Sequence, residues 1–556
     1  MLLLAGASFP GAARAEPIPS TVIAGKGDDG RPVNPPADWP EAAGIWNAKA
    51  VRYNPASDRL VFETFREDIL GTSELRDAVD PSKTGKAANR LAELVFTAGE
   101  EPVGTFEPDH TSVLYIADHD GRNARCIGCE TVADGVGGVE IWKIAPSGDG
   151  TPSPAVRQIG AKVFARQNKD LAAWHPGGKW ITASVEMPSH AGSHFTGHGE
   201  IGMFNDIWAI SDDGRVWVQL TDWQAGWVHA DPVARMPYQA ADPLCPTGDQ
   251  YGTPEMPEPY AAYACSPKGA PPPVNGVMRT TVGQTVGADG RTLIVWGERV
   301  GIDTRYPFVG PLQFGRGKLA FTPEGLPAIV DMKNNLTPTP GNPMGEGLWS
   351  NPGGRTVIGT AYEPFNFAPD DTRLALASDA FLSHKPGVAL DGPLRIEING
   401  VRNYVPTQAF WDLGEWRTDG SSYESLTLYD PAGYAYPDNA SPAPMDRLGY
   451  FEEPSAYLEL GPDAYIAVGS SVNPDFSFPR FQETFFLETW IFGKDAPRKA
   501  AKVTDFNAAA HLWTYPTSFD AKRKRLYLVQ QAGGKGSDTT KQPTLVRVMD
   551  LSGIGD

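Results

Sequence analysis

The sequence predicts an all-β fold built from repeated four-stranded units, and two observations support this prediction. The chain holds 60 Gly and 51 Pro together with 15 Trp, 18 Tyr and 24 Phe, which is typical of many short strands joined by turns. It also contains an internal repeat, in which seven segments share an apolar strand, a tight turn and a second apolar strand. Seven copies indicate one architecture rather than several unrelated domains.

Each repeat alternates apolar and polar residues around its turn, which is the pattern of a β-hairpin. The seven predicted hairpins cover residues 51–64, 104–117, 172–184, 284–297, 365–378, 458–470 and 517–530. A third strand follows several of them and carries tryptophan at the same place, as Trp142, Trp208 and Trp490. We expect these three side chains to be buried at equivalent positions between units.

One repeat carries a specific resemblance. The stretch WHPGGKWITAS from Trp174, followed by NDIWAISDDGRVWVQLT from Asn205, resembles the TolB-type WD-like repeat. That repeat has a Ser-Pro-Asp-Gly-Lys turn, an Asp-Ile-Trp strand and a closing Gln-Leu-Thr. The resemblance implies a radial β-propeller with a central channel, in a family that includes transport scaffolds, peptidase propellers and glycan lyases. Such a fold does not by itself supply a function.

The repeat number predicts seven four-stranded blades, with long insertions on one face. Eight blades are the alternative, because the strand-like stretch from Trp227 precedes a Pro-rich insertion at about 237–275. Cys245 and Cys265 lie in this insertion and are expected to form a bridge. Cys126 and Cys129 are expected as a second local pair, either bridged or free, with metal binding by cysteines as the alternative.

The first 15 residues resemble a signal peptide. An apolar run is followed by Pro10 and by the Ala13-Arg14-Ala15 pattern of a signal-peptidase site, although no basic region precedes the run. We therefore expect a single propeller domain over residues 16–556, exported to the periplasm or the extracellular space. No later stretch reaches the ~18 apolar residues that a membrane-spanning helix needs. The net charge of −19 argues against a nucleic-acid partner, because phosphate binding requires a basic patch and the sequence shows none.

Strand order places the candidate site. In a four-stranded antiparallel blade, the turn between the first two strands lies at one end, and the loop between the second and third strands lies at the other. Seven of the nine histidines are then expected at the second end, where the acids Glu63, Asp118, Glu186, Glu298 and Asp379 also end predicted second strands. Imidazoles and carboxylates that converge at a channel mouth suit a divalent metal. The candidate ligands are His190, His194, His198 and His229, with Glu186, Asp231, His119 and His511 as additional ligands.

Two functions fit this sequence. The first is an exported binding or scaffold module for a protein or glycan, which needs no catalytic motif. The second is a metal-dependent enzyme with calcium, manganese or copper at the histidine-rich mouth, acting as a polysaccharide lyase or as a copper oxidoreductase. The copper alternative is similar in architecture and histidine placement to the nitrous oxide reductase and thiocyanate dehydrogenase propellers. The sequence contains no Gly-x-Ser-x-Gly elbow and no phosphate-binding Gly-x4-Gly-Lys-Ser/Thr motif.

Overall fold

A computed structural model describes the parts of the chain that hold its regular structure. The described residues are 18–48, 50–69, 112–165, 167–186, 205–221, 282–287, 289–298, 312–334, 362–368, 372–378, 396–398, 401–403, 412–417, 423–425, 450–460, 463–471, 488–492, 500–504, 506, 512–532 and 544–553. The leader-like segment, the Pro-rich insertion, Cys245 and Cys265 lie outside them, so the predictions made for these parts stay predictions.

The described residues form an all-β fold, in which the helical content is two 3₁₀ turns, Glu41–Ala43 and Glu67–Ile69. The strands of the first half are β1 (Ser20–Lys26), β2 (Pro32–Val33), β3 (Val51–Asn54), β4 (Arg59–Phe65), β5 (Ser112–Asp118), β6 (Arg125–Ile127), β7 (Val132–Ala133), β8 (Glu140–Lys143), β9 (Val156–Arg157), β10 (Lys162–Val163), β11 (Lys169–Trp174), β12 (Trp180–Glu186), β13 (Asn205–Ser211) and β14 (Val216–Gln219). The strands of the second half are β15 (Val282–Val286), β16 (Thr292–Glu298), β17 (Leu312–Phe321), β18 (Pro327–Asn334), β19 (Tyr362–Phe367), β20 (Arg373–Ser378), β21 (Ile396–Ile398), β22 (Val401–Asn403), β23 (Asp412–Arg417), β24 (Tyr423–Ser425), β25 (Tyr450–Leu460), β26 (Asp463–Ser471), β27 (Glu488–Phe492), β28 (Ala500–Lys502), β29 (Leu512–Asp520), β30 (Arg525–Ala532) and β31 (Leu545–Asp550).

Six sheets of four or more strands are present in the described part of the chain, and we number them in chain order. In sheets 1 to 6 the four consecutive antiparallel strands are β3-β4-β5-β6, β11-β12-β13-β14, β15-β16-β17-β18, β19-β20-β23-β24, β25-β26-β27-β28 and β29-β30-β31-β1. Sheet 2 continues outward through β8, which pairs parallel to β14, and then β9. Sheet 6 continues outward through β2, and β7 with β10 and β21 with β22 form separate two-stranded sheets.

Six of the seven predicted hairpins are confirmed, and each supplies the first two strands of one sheet. The prediction for 104–117 was wrong in its described part. Strand β5 pairs with β4 on one side and with β6 on the other, so it is the third strand of sheet 1. A third strand and the second strand of a hairpin share the same apolar alternation, which is why the pattern alone did not separate them. The described residues therefore do not confirm a count of seven blades.

The contacts between successive sheets form a closed cycle, which we call the ring. The first strand of each sheet contacts strands of the preceding sheet, as β11 does with β4 and β5, and β25 does with β19 and β20. The ring closes because β3 of sheet 1 contacts β29 and β30 of sheet 6. Successive side chains of a strand point to opposite faces of its sheet, so one strand contributes to the interfaces with both neighbouring sheets. In β4, Leu60 and Phe62 pack in the core shared with sheet 6, whereas Val61 packs against sheet 2. Fully burying one such side chain contributes about 1.5–3 kcal/mol.

Sheet 6 joins strands from opposite ends of the described chain. Strand β1 pairs antiparallel with β31 and so supplies the fourth strand of the sheet that ends the sequence. Ile23 and Ala24 of β1 are buried in the core shared with sheet 1. The buried guanidinium of Arg547 on β31 forms an ion pair with Asp28, just beyond β1. Main-chain pairing, apolar packing and this ion pair therefore hold β1 in the sheet that closes the ring.

The tryptophan prediction is confirmed in part. Trp208 lies in β13 and Trp490 in β27, both of which are third strands, and each follows an acid by two residues. Trp142 was placed wrongly, because β8 is an outer addition to sheet 2 and not a third strand. All three side chains are only partly buried. The Glu140-Ile141-Trp142 sequence matches the third-strand pattern, but its pairing partner is chosen by distant residues that no local pattern reveals.

The short turns at one end of the ring are linked from sheet to sheet. Asn54 donates to the carbonyls of His175 and Pro176 at 3.1 Å, which joins sheet 1 to sheet 2. Arg523 of sheet 6 forms a bidentate ion pair with Asp58 of sheet 1, with both distances 2.7 Å. This pair, with the Tyr53 hydroxyl donating to Asp58, lowers the pKa of the Asp58 carboxyl to about 2. These contacts favour a structural role for this end.

His175 extends this set of links to sheet 3. Its Nδ1 accepts from the Gly177 backbone N–H at 3.1 Å, so its Nε2 carries the proton and donates to the Gly290 carbonyl at 3.0 Å. The imidazole of His175 also packs edge-on against the Phe321 side chain. Burial lowers the pKa of His175, since the charged form loses its hydration. The neutral form of His175 is therefore the one that fits the folded state.

We expect acid to weaken the fold through His175. Because its folded pKa is below the unfolded value of 6.5, this contribution to the free energy of unfolding is fully present above pH 6.5 and is lost as the pH falls towards the folded pKa. Denaturant unfolding between pH 7.5 and 5 should show a steeper loss of stability for the parent chain than for His175→Gln, which cannot titrate. Equal pH slopes would contradict the assignment.

Candidate functional site

The two ends of the ring differ in the length of the chain that connects their strands. At the end that we call the short-turn end, the connections between first and second strands have five residues or fewer, such as 55–58 and 175–179. At the opposite end, which we call the long-segment end, even the shortest connection between second and third strands, 533–544, has 12 residues. The others of this type are 66–111, 187–204, 299–311, 379–411 and 472–487.

The connections between successive sheets also belong to the long-segment end, because each fourth strand finishes there and each first strand begins there. They include 128–168, with strands β7 to β10, and 220–281. Binding residues are concentrated on connections that a rigid scaffold positions. The long-segment end is therefore the candidate functional site of this chain.

Sheet 2 anchors the two segments that carry the predicted histidines. Segment 187–204 leaves β12 after Glu186 and returns at Asn205, and these two residues are directly paired across the strands. Segment 222–281 follows Thr221, whose hydroxyl donates to the buried Asp206 carboxylate at 2.8 Å and accepts from the Ile207 N–H at 2.9 Å. Both segments are thus anchored side by side at the long-segment end.

Sheet 5 repeats this anchor. Thr504 donates to the buried carboxylate of Glu488, and its hydroxyl accepts from the Thr489 N–H at 2.8 Å. The chemistry matches the Asp206–Thr221 pair, although Glu replaces Asp and Lys-Val-Thr replaces Gln-Leu-Thr. A buried carboxylate is tolerated here because a hydroxyl donor satisfies it. The acid two residues before Trp208 and Trp490 therefore has a structural role in fixing the end of each sheet.

Most of the predicted metal ligands lie outside the described residues. These are His190, His194, His198, His229, His511 and Asp231. Glu186 is the last residue of β12 at the long-segment end, and only its backbone is described. Within the described part of the chain, no group of three His, Cys, Asp or Glu side chains could hold a metal ion. The metal site therefore stays a prediction.

His119 and Asp118 were assigned to the wrong end. The loop that contains His119 was expected between second and third strands, but it joins β5 to β6, which are the third and fourth strands of sheet 1. His119 therefore lies at the short-turn end, where its carbonyl accepts from the Tyr527 hydroxyl at 2.9 Å. Because Asp118 ends β5 and not a second strand, its carboxylate also belongs to that end. The prediction that placed His119 at the same end as the other candidate ligands was therefore wrong.

Glu63 has a structural partner. Its side chain is buried and accepts from the Ala172 backbone N–H at 3.1 Å, so it joins β4 of sheet 1 to β11 of sheet 2. This carboxylate was expected among the acids that end second strands. Its bond to β11 makes it part of the interface between two sheets.

Sequence reasoning missed a polar cluster where β4 ends at the long-segment end. Arg66 donates to both carboxylate oxygens of Asp68 at 2.6 and 2.7 Å, to the Tyr115 hydroxyl at 2.7 Å and to Sγ of Cys129 at 3.2 Å. Cys129 is in a disulfide with Cys126, which confirms the bridged form of that predicted pair. The Arg66 and Cys129 positions are 63 apart in sequence, so no motif spacing could have brought them together.

Burial determines the protonation of this cluster. Removal from water raises the pKa of the Tyr115 hydroxyl to about 12, while the charge of Arg66 acts in the opposite direction. Burial lowers the pKa of Arg66, but the Asp68 carboxylate and the Tyr115 hydroxyl together outweigh it and the net shift is upward. Tyr115 therefore remains a neutral donor and Arg66 a fixed cation at neutral pH.

Among the described residues there is no helix long and apolar enough to cross a membrane.

No family model and no curated protein matches the chain. Among solved structures, it is similar to a putative TolB from Agrobacterium tumefaciens, with 11% identity over 72% of this chain and 82% of that one, at a TM-score of 0.28. An acylaminoacyl peptidase from Pyrococcus horikoshii matches at 6% identity and a TM-score of 0.32, over 91% of this chain and 51% of that one. The chain thus spans about half the length of that peptidase. A Hadza microbial sialidase matches at 8% identity and a TM-score of 0.35, over 96% and 69% of the two chains. At such scores the chain resembles these proteins without belonging demonstrably to the family of any one of them.

Proposed function

We propose that this chain is an exported β-propeller that binds a protein or glycan ligand at its long-segment end. The observation that carries the proposal is the asymmetry of the two ends, since one end has short, cross-linked turns and the other has every long connection. A scaffold that is rigid at one end can present variable segments at the other with little loss of stability. The closed sequence of contacts through six sheets supports six blades, fewer than the sequence predicted.

Charge and disulfide chemistry narrow the ligand and the compartment. A net charge of −19 disfavours polyanionic partners and favours neutral or cationic surfaces, such as a neutral glycan or a basic protein patch. Disulfides such as Cys126–Cys129 form and persist mainly in oxidising compartments. Together with the leader-like first 15 residues, it supports export to the periplasm or the extracellular space.

Shortening segment 187–204 tests the proposal. Because Glu186 and Asn205 are paired, a four-residue Gly/Ser turn can join them without disturbing β12 or β13. We expect the purified chain to bind members of a glycan array or of a panel of purified envelope proteins. The shortened variant should bind its ligand at least tenfold more weakly, with an unchanged melting temperature.

The matched control changes the opposite end. Lys179 and Lys522 are exposed in short turns of sheets 2 and 6, and Lys179→Ala with Lys522→Ala should leave binding unaltered. Loss of binding in this control but not in the shortened variant would place the ligand at the short-turn end. Turnover of a substrate without stable binding would favour an enzyme.

A metal-dependent enzyme is the second candidate, and the shared anchor on sheet 2 favours it. Segment 187–204, which bears His190, His194 and His198, starts beside segment 222–281, which bears His229. A shared metal site requires this placement. Metal analysis of the purified chain tests this candidate, together with the double variant His194→Ala, His229→Ala. Copper that is lost in the variant supports a copper oxidoreductase, and calcium or manganese lost in the same way supports a lyase. Absence of metal from the parent chain returns the assignment to a binding module.

A further inference from the structure

The disulfide between Cys126 and Cys129 has two hydrogen-bond donors aimed at one of its sulfurs. Nη1 of Arg66 lies 3.2 Å from Sγ of Cys129, and the Tyr115 hydroxyl lies 3.5 Å from the same atom. Because Cys129 is in a disulfide, its sulfur carries no proton and is the acceptor in both contacts. Sγ of Cys126 has no such contact within the described part of the chain. The two sulfurs are therefore electrostatically different.

Arg66 is held in this position from several sides. Its Nε and Nη2 bind the two oxygens of Asp68, and its guanidinium stacks on the Trp39 ring at 5.2 Å from the ring centre. Trp39 in turn packs edge-on against Trp46 with ring centres 4.8 Å apart. The guanidinium is buried, so it cannot turn towards water when the charge next to it changes. Nη1 is the guanidinium nitrogen that donates to the Tyr115 hydroxyl and to Sγ of Cys129.

These fixed donors favour the reduced state of Cys129. A disulfide sulfur is a weak acceptor, whereas a thiolate is a strong one and gains most from a neighbouring cation. Donors that are already in place stabilise the charge when it appears without further reorganisation. The negative charge of the Asp68 carboxylate offsets part of this effect. The Asp38 carboxylate acts like Asp68 on the Tyr115 hydroxyl, since both raise its pKa. The net contribution is set by Arg66, which directly contacts the sulfur.

We propose that Cys126–Cys129 is a redox-active disulfide that exchanges with dithiol reductants, with Cys129 as the leaving sulfur. The attacking thiolate forms a bond to Sγ of Cys126, the S–S bond breaks, and its electron pair leaves on Cys129 as a thiolate beside Arg66. The second thiol of the reductant then attacks the mixed disulfide and releases Cys126. Two electrons and two protons pass from the dithiol to the two cysteines, and the reductant leaves as its own disulfide. Both cysteines are partly exposed, so a reductant can reach them.

A redox titration of the full chain tests the proposal. The protein is equilibrated in mixtures of oxidised and reduced dithiothreitol, alkylated, and the peptide containing Cys126 and Cys129 is quantified by mass spectrometry. We expect Arg66→Gln to make the reduced form at least tenfold less favoured relative to the parent, which is about 30 mV for this two-electron couple. Tyr115→Phe should shift the equilibrium in the same direction by a smaller factor, and Asp68→Asn in the opposite direction. A merely structural disulfide would not give shifts of opposite sign.

Two controls keep the result interpretable. Arg122→Gln removes the same charge from an exposed site in sheet 1 and should leave the equilibrium unchanged. Arg66→Lys retains the cation if Arg66→Gln fails to fold, and should reduce the shift without abolishing it. In Cys126→Ser, the Cys129 thiol should be alkylated at pH 6 at least tenfold faster than an ordinary exposed thiol. Ordinary alkylation kinetics, or variants that all titrate like the parent, would make this disulfide a structural link only.

Discussion

Gly121→Ala is expected to destabilise the chain by about 3–4 kcal/mol, as the sum of a left-handed backbone and a steric clash. Gly121 has φ of +81°, and a Cβ at this position would overlap the carbonyl oxygen of Ile23 and lie 2.9 Å from its carbonyl carbon. Neither atom can move alone, because Ile23 is in the middle of β1. The measurement is denaturant unfolding of the variant and the parent.

Gly135→Ala is the matched control for this change. Gly135 has nearly the same φ, +80°, but a Cβ there would have no neighbour within 4 Å. Only the backbone term of about 1–2 kcal/mol should remain. The difference between the two variants then measures how closely the 119–124 turn packs on β1, the strand that closes the ring. If both variants lose the same stability, β1 is not held against sheet 1 in the way described.

This packing explains why the strand nearest the start of the sequence can stay attached to the last sheet. Asn34 donates from Nδ2 to the carbonyls of Ile23 at 3.0 Å and Asp120 at 3.1 Å, so it joins β1 to the same turn. Loss of this contact would leave β1 held by its pairing with β31 and β2, by the burial of Ile23 and Ala24, and by the ion pair of Asp28 with Arg547. When the first and last sheets of the ring remain in contact, neither of them exposes an apolar face.

The sequence could predict the elements that depend on local signals. Six hairpins were found because apolar alternation around a Pro, Gly or Asp turn is a short-range pattern. The third strands of sheets 2 and 5 were found because a tryptophan recurs there, two residues after an acid. Trp142 shows the limit of this reasoning, since it carries the same local pattern but pairs parallel to β14. Choice of a pairing partner depends on the whole ring, which a local pattern does not contain.

The candidate site was predictable to a smaller degree. Strand order correctly places Glu186 at the long-segment end, because that inference needs only alternation of strand direction. His119 was assigned to the wrong end because one third strand was taken for a hairpin, which reverses every assignment that follows within the sheet. The cluster of Arg66, Tyr115 and Cys129 could not be predicted, since each residue is unremarkable in its local sequence.

The two ends of the ring are stabilised by different kinds of contact. At the short-turn end, hydrogen bonds from the Asn54 and His175 side chains to backbone carbonyls, together with the Arg523–Asp58 ion pair, join four successive sheets, 6, 1, 2 and 3. At the long-segment end, buried polar side chains instead fix the points where the long connections start. Asp206, Glu488 and Arg66 are examples, and their partners Thr221, Thr504 and Asp68 lie within three residues of a strand end, so the rest of each connection is not involved. Long connections can therefore vary while the ring is preserved.

Lys169 is the buried cation at the start of β11, where the connection 128–168 enters sheet 2. Its side chain is fully buried, and its Nζ donates to the carbonyls of Phe164, Ala165 and Gln167 at 3.1, 3.2 and 2.7 Å. These three carbonyls belong to the stretch that leads into β11, the first strand of sheet 2. The ammonium therefore holds together a segment of main chain that no strand pairing organises.

Lys169→Ala is expected to cost about 4–5 kcal/mol, because it removes a charged donor from buried carbonyls and leaves a cavity in place of the side-chain stem. The stem lies against Gly128, where an added Cβ would be 2.8 Å from Cε of Lys169, so the main chain there already fills the available space. Lys169→Met is the matched control, because methionine refills most of the cavity but donates no hydrogen bond. It should cost about 2–3 kcal/mol, the contribution of the ammonium to the carbonyls. Unfolding curves of both variants measure the two terms separately. A methionine variant as stable as the parent would mean that the carbonyls are satisfied without the cation, and that Lys169 contributes by packing alone.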